Sequence, residues 1–187
     1  MIKGIDVSSY QDSQYPTAGY DFVFVKATEG TSYINPKQDA QTMQARDHGL
    51  ALGFYHFLHP GNIGAQAEYF VQQCDSVYGD MLVVDWETTE DGSYASCAEK
   101  DQFLAAVRQL RPAHHRIGLY CNSYFWLNVD TTSESADFLW IAAPGTKRPP
   151  IQHPWLFWQT GENGGLDQNV CALESRAALR TWCGYAG

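Results

Sequence analysis

Two carboxylates stand two residues apart at the end of an apolar run, Met81-Leu82-Val83-Val84-Asp85-Trp86-Glu87. If that run is a β-strand, side chains at i and i+2 face one side, and the strand rise separates them by about 6–7 Å. Carboxylates that close oppose each other's ionisation, so one pKa rises and a protonated acid sits beside an ionised partner near neutral pH. Glycosidic bond cleavage needs such a pair, at separations of about 5–9.5 Å across its retaining and inverting forms. The plainer alternative is an acidic strand end in water. The four apolar residues immediately before Asp85 favour a pocket.

Such a pair needs a scaffold, and the rest of the chain supplies one. Apolar, β-branched segments at residues 3–8, 21–26, 51–57, 81–86, 116–121, 138–142 and 156–159 read as strands, with a short eighth near 168–170. Between them the spacing predicts helices over 36–49, 62–78, 96–110 and 173–183. Asn35 reads as the N-cap of the first with Pro36 at its first position, and Gly79 stops the second. Ser96 and Glu99 form a capping box for the third. Strands that are apolar throughout and separated by helices indicate an α/β protein with parallel strands covered on both sides. Eight of them suggest a closed (β/α) barrel whose final third is irregular. A doubly wound open sheet is the rival, but no glycine-rich phosphate loop follows any strand.

Active sites of parallel barrels gather at the C-terminal ends of the strands. Those ends deliver Asp6; Lys26 with Glu29 beyond; Tyr55, His56 and His59; Asp85 and Glu87; Tyr120 and Asn122; Trp140; Trp158 and Gln159. Asp167 and Asn169 lie beside the eighth strand. The expectation is an acidic, aromatic-lined pocket in which Lys26, Glu29, Tyr55, His56, Tyr120, Trp140, Trp158 and Gln159 bind substrate. Aromatic residues make up 14% of the chain, which leaves rings to spare for a sugar-binding groove.

Composition narrows the classes further. A length of 187 residues suits one domain. The net charge is −9, and the 12 Lys and Arg residues form no basic run, which argues against nucleic acid. No apolar run approaches the length of a membrane helix. Asp6, Asp85, Glu87, Asp167 and His56 are types that can hold Mg²⁺ or Zn²⁺, but no H-x-H or H-E-x-x-H spacing accompanies them. No metal or other cofactor is therefore expected. His114 and His115 receive no role. The five cysteines form no C-x-x-C pair and read as buried thiols; Cys171 and Cys183 would pair first in an oxidising environment.

Taken in order, the segments Gly4-Ile5-Asp6-Val7-Ser8-Ser9-Tyr10-Gln11, Phe24-Val25-Lys26-Ala27-Thr28-Glu29-Gly30, Gly53-Phe54-Tyr55-His56-Phe57, Val84-Asp85-Trp86-Glu87, Gly118-Leu119-Tyr120, Leu139-Trp140-Ile141-Ala142 and Trp158-Gln159 with Asp167-Gln168-Asn169 resemble the lysozymes of glycoside hydrolase family 25. The resemblance implies a flattened barrel of five β/α units followed by about three less regular strands. It implies cleavage of the β-1,4 bond between N-acetylmuramic acid and N-acetylglucosamine in peptidoglycan, without metal. It maps the general acid onto Glu87, the partner carboxylate onto Asp85, two further pocket acids onto Asp6 and Asp167, and sugar contacts onto Tyr55, Tyr120, Trp140 and Gln159. A single catalytic domain over 1–187 without a wall-binding domain, acting as a monomer, is expected. The start at Met1 without an apolar leader fits a phage endolysin held in the host cytoplasm before release to the wall; an exported enzyme without its leader is the alternative. Two other functions remain open at this point: a sugar-binding barrel that has lost catalysis, and a metal-dependent hydrolase on the same scaffold.

Overall fold

Runs of apolar residues without helical period become the wall of a barrel. The computed structural model describes residues 1–111 and 115–185, so His114 lies outside the described residues. The strands are β1 (Ile2–Val7), β2 (Phe22–Glu29), β3 (Tyr33–Ile34), β4 (Ala51–Phe57), β5 (Met81–Asp85), β6 (Arg116–Asn122), β7 (Phe138–Ala142), β8 (Phe157–Asn163) and β9 (Leu166–Cys171). Eight of them close in the order β1, β2, β4, β5, β6, β7, β8, β9, with β9 pairing back onto β1. The sheet is closed, so the open doubly wound alternative falls away. Neighbours from β1 to β8 are parallel, whereas β9 runs antiparallel to both β8 and β1. The two-residue β3 hangs antiparallel on β2.

Helices α1 (Gln38–Asp47), α2 (Ile63–Gln73) and α3 (Cys97–Leu110) connect β3 to β4, β4 to β5 and β5 to β6. A π-helical turn, Phe125–Val129, follows β6, and no α-helix connects β6 to β7, β7 to β8 or β8 to β9 among the described residues. The final third is thus irregular, as the sequence pattern predicts. Helix α4 (Arg176–Cys183) follows β9 and caps the barrel's opposite end: Leu179 and Cys183 join the interior cluster, and Trp182 sets its edge on Phe138 at 5.6 Å.

Strand alternation divides the core in two. Phe22, Phe24, Met81, Val83, Phe138, Trp140 and Phe157 point inward, while Val23, Val25, Leu52, Phe54, Leu82, Val84, Leu119 and Ile141 face the helical layer. Inside, Phe24 stacks on Trp140 at 4.2 Å and meets Phe157 edge-on at 5.0 Å. Glycine makes room for these rings on the neighbouring strand. A Cβ on Gly53 would stand 2.3 Å from the Phe24 ring, and one on Gly118 would stand 2.4 Å from Phe138.

The elements differ from expectation mainly at their ends. Asn35 does not cap α1; its Oδ1 accepts from the Lys37 N–H, its Nδ2 donates to Lys26 O and Gln41 Oε1, and the helix starts at Gln38. Helix α2 stops at Gln73 rather than running to Tyr78. Its last carbonyl accepts from Gln38 Nε2, Cys74 turns extended, and the Asp80 carboxylate draws the Val77 N–H and the Arg46 guanidinium into a loop. The capping box forms as predicted, with the Ser96 N–H donating to Glu99 Oε2 at 2.7 Å and the Glu99 N–H to Ser96 Oγ. Helix α4 starts at Arg176 because Ser175 Oγ accepts from the Ala178 N–H.

Candidate active site

The C-terminal ends of β1, β2 and β4 to β8 surround a cavity of about 330 Å³. Asp6 enters it from β1, Lys26 and Glu29 from β2, Tyr55 from β4, Asp85 from β5 with Glu87 just beyond, Tyr120 from β6, Trp140 from β7 and Gln159 from β8. Asp167 arrives by a different route. It sits near the start of β9, and only because β9 is antiparallel does its start lie at this end, where Asp167 pairs directly with Asp6. All four carboxylates singled out in the sequence therefore share one cavity.

Two expected members do not. Tyr55 and His56 are adjacent on β4, as are Trp158 and Gln159 on β8, and neighbours on a strand face opposite sides. Tyr55 and Gln159 take the inner face. His56 is fully buried outside the barrel, with Nδ1 2.8 Å from Thr28 Oγ1, Nε2 3.2 Å from Gln66 Oε1, and its ring stacked on Phe103 at 4.9 Å. Burial pushes its pKa down to about 3, which leaves it neutral. Trp158 lies in the outer core and donates from Nε1 to Ala143 O.

One irregularity corrects the alternation on β2. Lys26 pairs with Tyr55 while Thr28 pairs with His56, so Ala27 is an extra residue, a β-bulge. Without it Glu29 would face outward. With it, Lys26 and Glu29 both reach the cavity and join at 2.7 Å, while His59 Nε2 lies 2.9 Å from the other Glu29 oxygen.

Hydrogen bonds fix the floor of the pocket. The Trp140 indole N–H is donor only, so Asn169 must present Oδ1 to it, at 2.7 Å. That orients Asn169 Nδ2 toward Asp6 Oδ2 at 2.7 Å, where Gln159 Nε2 also donates at 3.0 Å. The Tyr120 hydroxyl donates to Gln159 Oε1 at 2.9 Å. Both bonds favour ionised Asp6, yet burial and the charge of Asp167 outweigh them and push its pKa up to about 7.

The two strand-end carboxyls are both raised. Asp85 is moved well above the usual range by burial and then by Glu87, and its Oδ1 is buried with no hydrogen-bond partner among the described residues. Glu87 is raised by burial, which Lys26 opposes and Asp167 reinforces. Burial therefore favours the protonated form at both positions, and the repulsion of Glu87 adds to it at Asp85. Asp167 is raised as well, by burial and Glu162. Tyr55 and Tyr120 stay neutral, since burial first and the surrounding carboxylates second move their pKa values upward.

Ser8, Tyr10, Phe57 and Glu90 also line the cavity and were not among the expected residues. Phe57 was available from alternation with Tyr55. Glu90 sits in a turn in which the Thr89 N–H donates to Ser93 O, and it carries no sequence signal. No group of three His, Cys, Asp or Glu side chains suited to a metal ion forms among the described residues. All five cysteines are free thiols, four of them buried, and none lines the cavity.

Comparison with known proteins agrees with this geometry. The chain is 33% identical to an N,O-diacetylmuramidase of Chalaropsis sp over 86% of its own length and 88% of that protein. It is 30% identical to a lysozyme of Streptococcus phage Cp-9 over 91% of its length, spanning 53% of the phage protein. It spans 66% and 52% of two further curated relatives. The crystal structure of the bacterial lysozyme from Streptomyces coelicolor superposes with a TM-score of 0.82 at 26% identity, covering 97% of this chain and 96% of that one. Residues 5–168 match the family described as Glycosyl hydrolases family 25, a span that encloses Asp6, Asp85, Glu87 and Asp167. The chain belongs to that family and is a glycosidase of the lysozyme type.

Proposed function

We propose that the protein hydrolyses the β-1,4 bond between N-acetylmuramic acid and N-acetylglucosamine in bacterial peptidoglycan, with retention of configuration and with Glu87 as general acid and base. The observation that carries this reading is the Asp85–Glu87 pair, two raised carboxyls at one strand end, sharing one cavity with Asp6 and Asp167. Family membership supports glycoside hydrolysis.

Glu87 is the less buried of the pair, which suits a group that must reach a leaving oxygen and afterwards a water. Asp85 lies deeper, with an oxygen lacking a partner. A substrate's 2-acetamido N–H can satisfy that oxygen and stabilise the ionised form. The same sugar displaces water from Glu87 and favours its neutral form. Binding thereby moves the shared proton toward the donor. Asp85 then orients the acetamido group for attack on the anomeric carbon, a substrate-assisted form of retention. Asp167 is the reserve candidate for a direct nucleophile. Tyr55, Tyr120, Trp140 and Gln159 hold the sugar; aromatic faces supply apolar contact and Gln159 a fixed amide.

Residues 1–187 act as one monomeric catalytic unit on peptidoglycan, needing neither metal nor nucleic acid. Wall lysis as a phage endolysin held in the host cytoplasm before release is the biological setting of this reading; a phage lysozyme among the relatives supports its phage origin. Mass spectrometry of soluble products from defined peptidoglycan tests the reaction. Reducing ends on muramic acid, formed equally with EDTA present, are expected; reducing ends on glucosamine would overturn it.

A further inference from the structure

Six carboxylates line the cavity, and Lys26 is the sole cationic side chain among the described residues that do so. The sequence suggests a substrate ligand, but the geometry of Lys26 is that of a fixed charge. Its Nζ lies 2.7 Å from Glu29 Oε2, 5.0 Å from the centre of the Phe57 ring and 5.3 Å from that of Tyr33. The second Glu29 oxygen is held by His59, so the pair is anchored on its far side and only 15% of the Lys26 side chain is exposed. Phe57, over which the ammonium sits, pairs directly with Asp85 on the next strand. The Ala27 bulge brings Lys26 and Glu29 onto the cavity side together.

We propose that Lys26 is a positioning residue: its ammonium, locked by Glu29 and His59, is the counter-charge that keeps one carboxylate, and only one, of the Asp85–Glu87 pair ionised at the working pH. This rests on the reading of that pair as the catalytic centre.

The groups facing Lys26 support it. Glu29 stays ionised, since hydrogen bonds from Lys26 and His59 prevail over the burial that opposes them. Asp85 on β5 and Glu87 beyond it are both raised by burial, and in both cases Lys26 acts in the opposite direction. Asp6 on β1 and Asp167 on β9 add negative charge across the cavity, and Glu90 adds it at the rim. Tyr55 on β4 remains neutral, and so does His56 behind it. Without Lys26, burial and repulsion would protonate both members of the pair, and no anion would remain to orient the substrate or receive positive charge.

Two readouts test this, one needing no substrate. Carbon-13 NMR titration of the side-chain carboxyls in the free protein follows Asp85 and Glu87 directly, and pH profiles of kcat and kcat/KM follow them in turnover. Lys26→Gln should raise both carboxyl pKa values and shift both limbs upward by about one unit, the low end of the effect of a nearby opposite charge, with KM little changed. Glu29→Gln removes an anion and leaves the ammonium, so it should shift both downward. Lys26→Arg should return the limbs to their original places. A merely structural role lowers activity without moving the limbs in opposite directions. If Lys26→Gln raises KM with both limbs and both titrations unmoved, Lys26 is a substrate ligand and the proposal is wrong. Should Lys26→Gln fold poorly, Lys26→Met, which keeps the stem and removes the charge, carries the same titration: carboxyls that titrate as in the parent would overturn the proposal. Should the products identify a different reaction, the titration still decides what Lys26 does.

Discussion

The inner face of the barrel wall changes character within two residues on nearly every strand. On β2 Phe24 is core and Lys26 is pocket; on β5 Val83 is core and Asp85 is pocket. Below that boundary, aromatic rings interlock with glycines on neighbouring strands and α4 packs Leu179 and Cys183 against them. Above it, buried carboxyls repel one another. The lower layer supplies stability that the upper layer costs, and the upper layer supplies raised pKa values that a solvated surface would not sustain. Burial is the shared cause: apolar side chains gain from it and carboxylates lose.

Substitutions in the two layers should therefore fail in opposite ways. The largest effect expected is on turnover. Glu87→Gln should lower kcat by about 10²–10⁴-fold, the usual contribution of general acid catalysis, with the fold intact. Release of soluble fragments from purified walls, normalised to folded protein by circular dichroism, measures it. A loss below tenfold would mean that the proton comes from elsewhere. In the lower layer, Phe22 is fully buried and does not line the cavity. Phe22→Ala should cost about 3–5 kcal/mol of stability, and Tm should fall by roughly 2–4 °C for each kcal/mol. Activity per folded molecule should persist. If activity is lost while Tm holds, the two layers are not separable.

Asp6 ties the layers together through pH. Its folded pKa of about 7 lies above the ordinary 3.8, so the folded state binds the proton more tightly than the unfolded chain does. Stability from this group is full below about pH 4 and falls as pH rises toward 7. The span of about three units corresponds to at most about 4 kcal/mol. Asp6→Asn keeps an oxygen to accept from Asn169 and Gln159 and removes the charge. It should be more stable than the parent at pH 8 and equal to it at pH 3.5, as urea unfolding at the two pH values would reveal. A variant less stable at both would contradict the sign. The smallest effect is expected at the thiols. None lines the cavity, so alkylating the half-buried Cys97 in native protein should leave turnover unchanged; full inactivation without unfolding would place a thiol in the chemistry.

Much of this contrast could be read from sequence. The apolar runs at 51–57 and 81–86 specify strands almost to the residue, and the polar groups that follow them name the pocket. Local signals carried less where tertiary pairing decides. That Asp167 sits beside Asp6 depends on β9 running backwards, which its own residues do not encode. The bulge at Ala27 is equally silent, yet it sets which way Glu29 points. The misplacing of His56 and Trp158 had a readable cause, since adjacent strand residues cannot both face inward. The early end of α2 was hidden because Asp80, Gln38 and Arg46, distant in sequence, take up the backbone and charge of residues 73–80.

Asp85 and Glu87 are expected to titrate as one unit. The pH profile of Asp85→Asn tests it most directly. With substrate bound and Asp85 ionised, its charge opposes ionisation of Glu87, and Asp85→Asn removes that repulsion. The residual activity of Asp85→Asn should therefore have its alkaline limb, which reports loss of the Glu87 proton, displaced to lower pH. An alkaline limb that stays in place or moves upward would show that the two carboxyls are independent and that their roles are wrongly assigned.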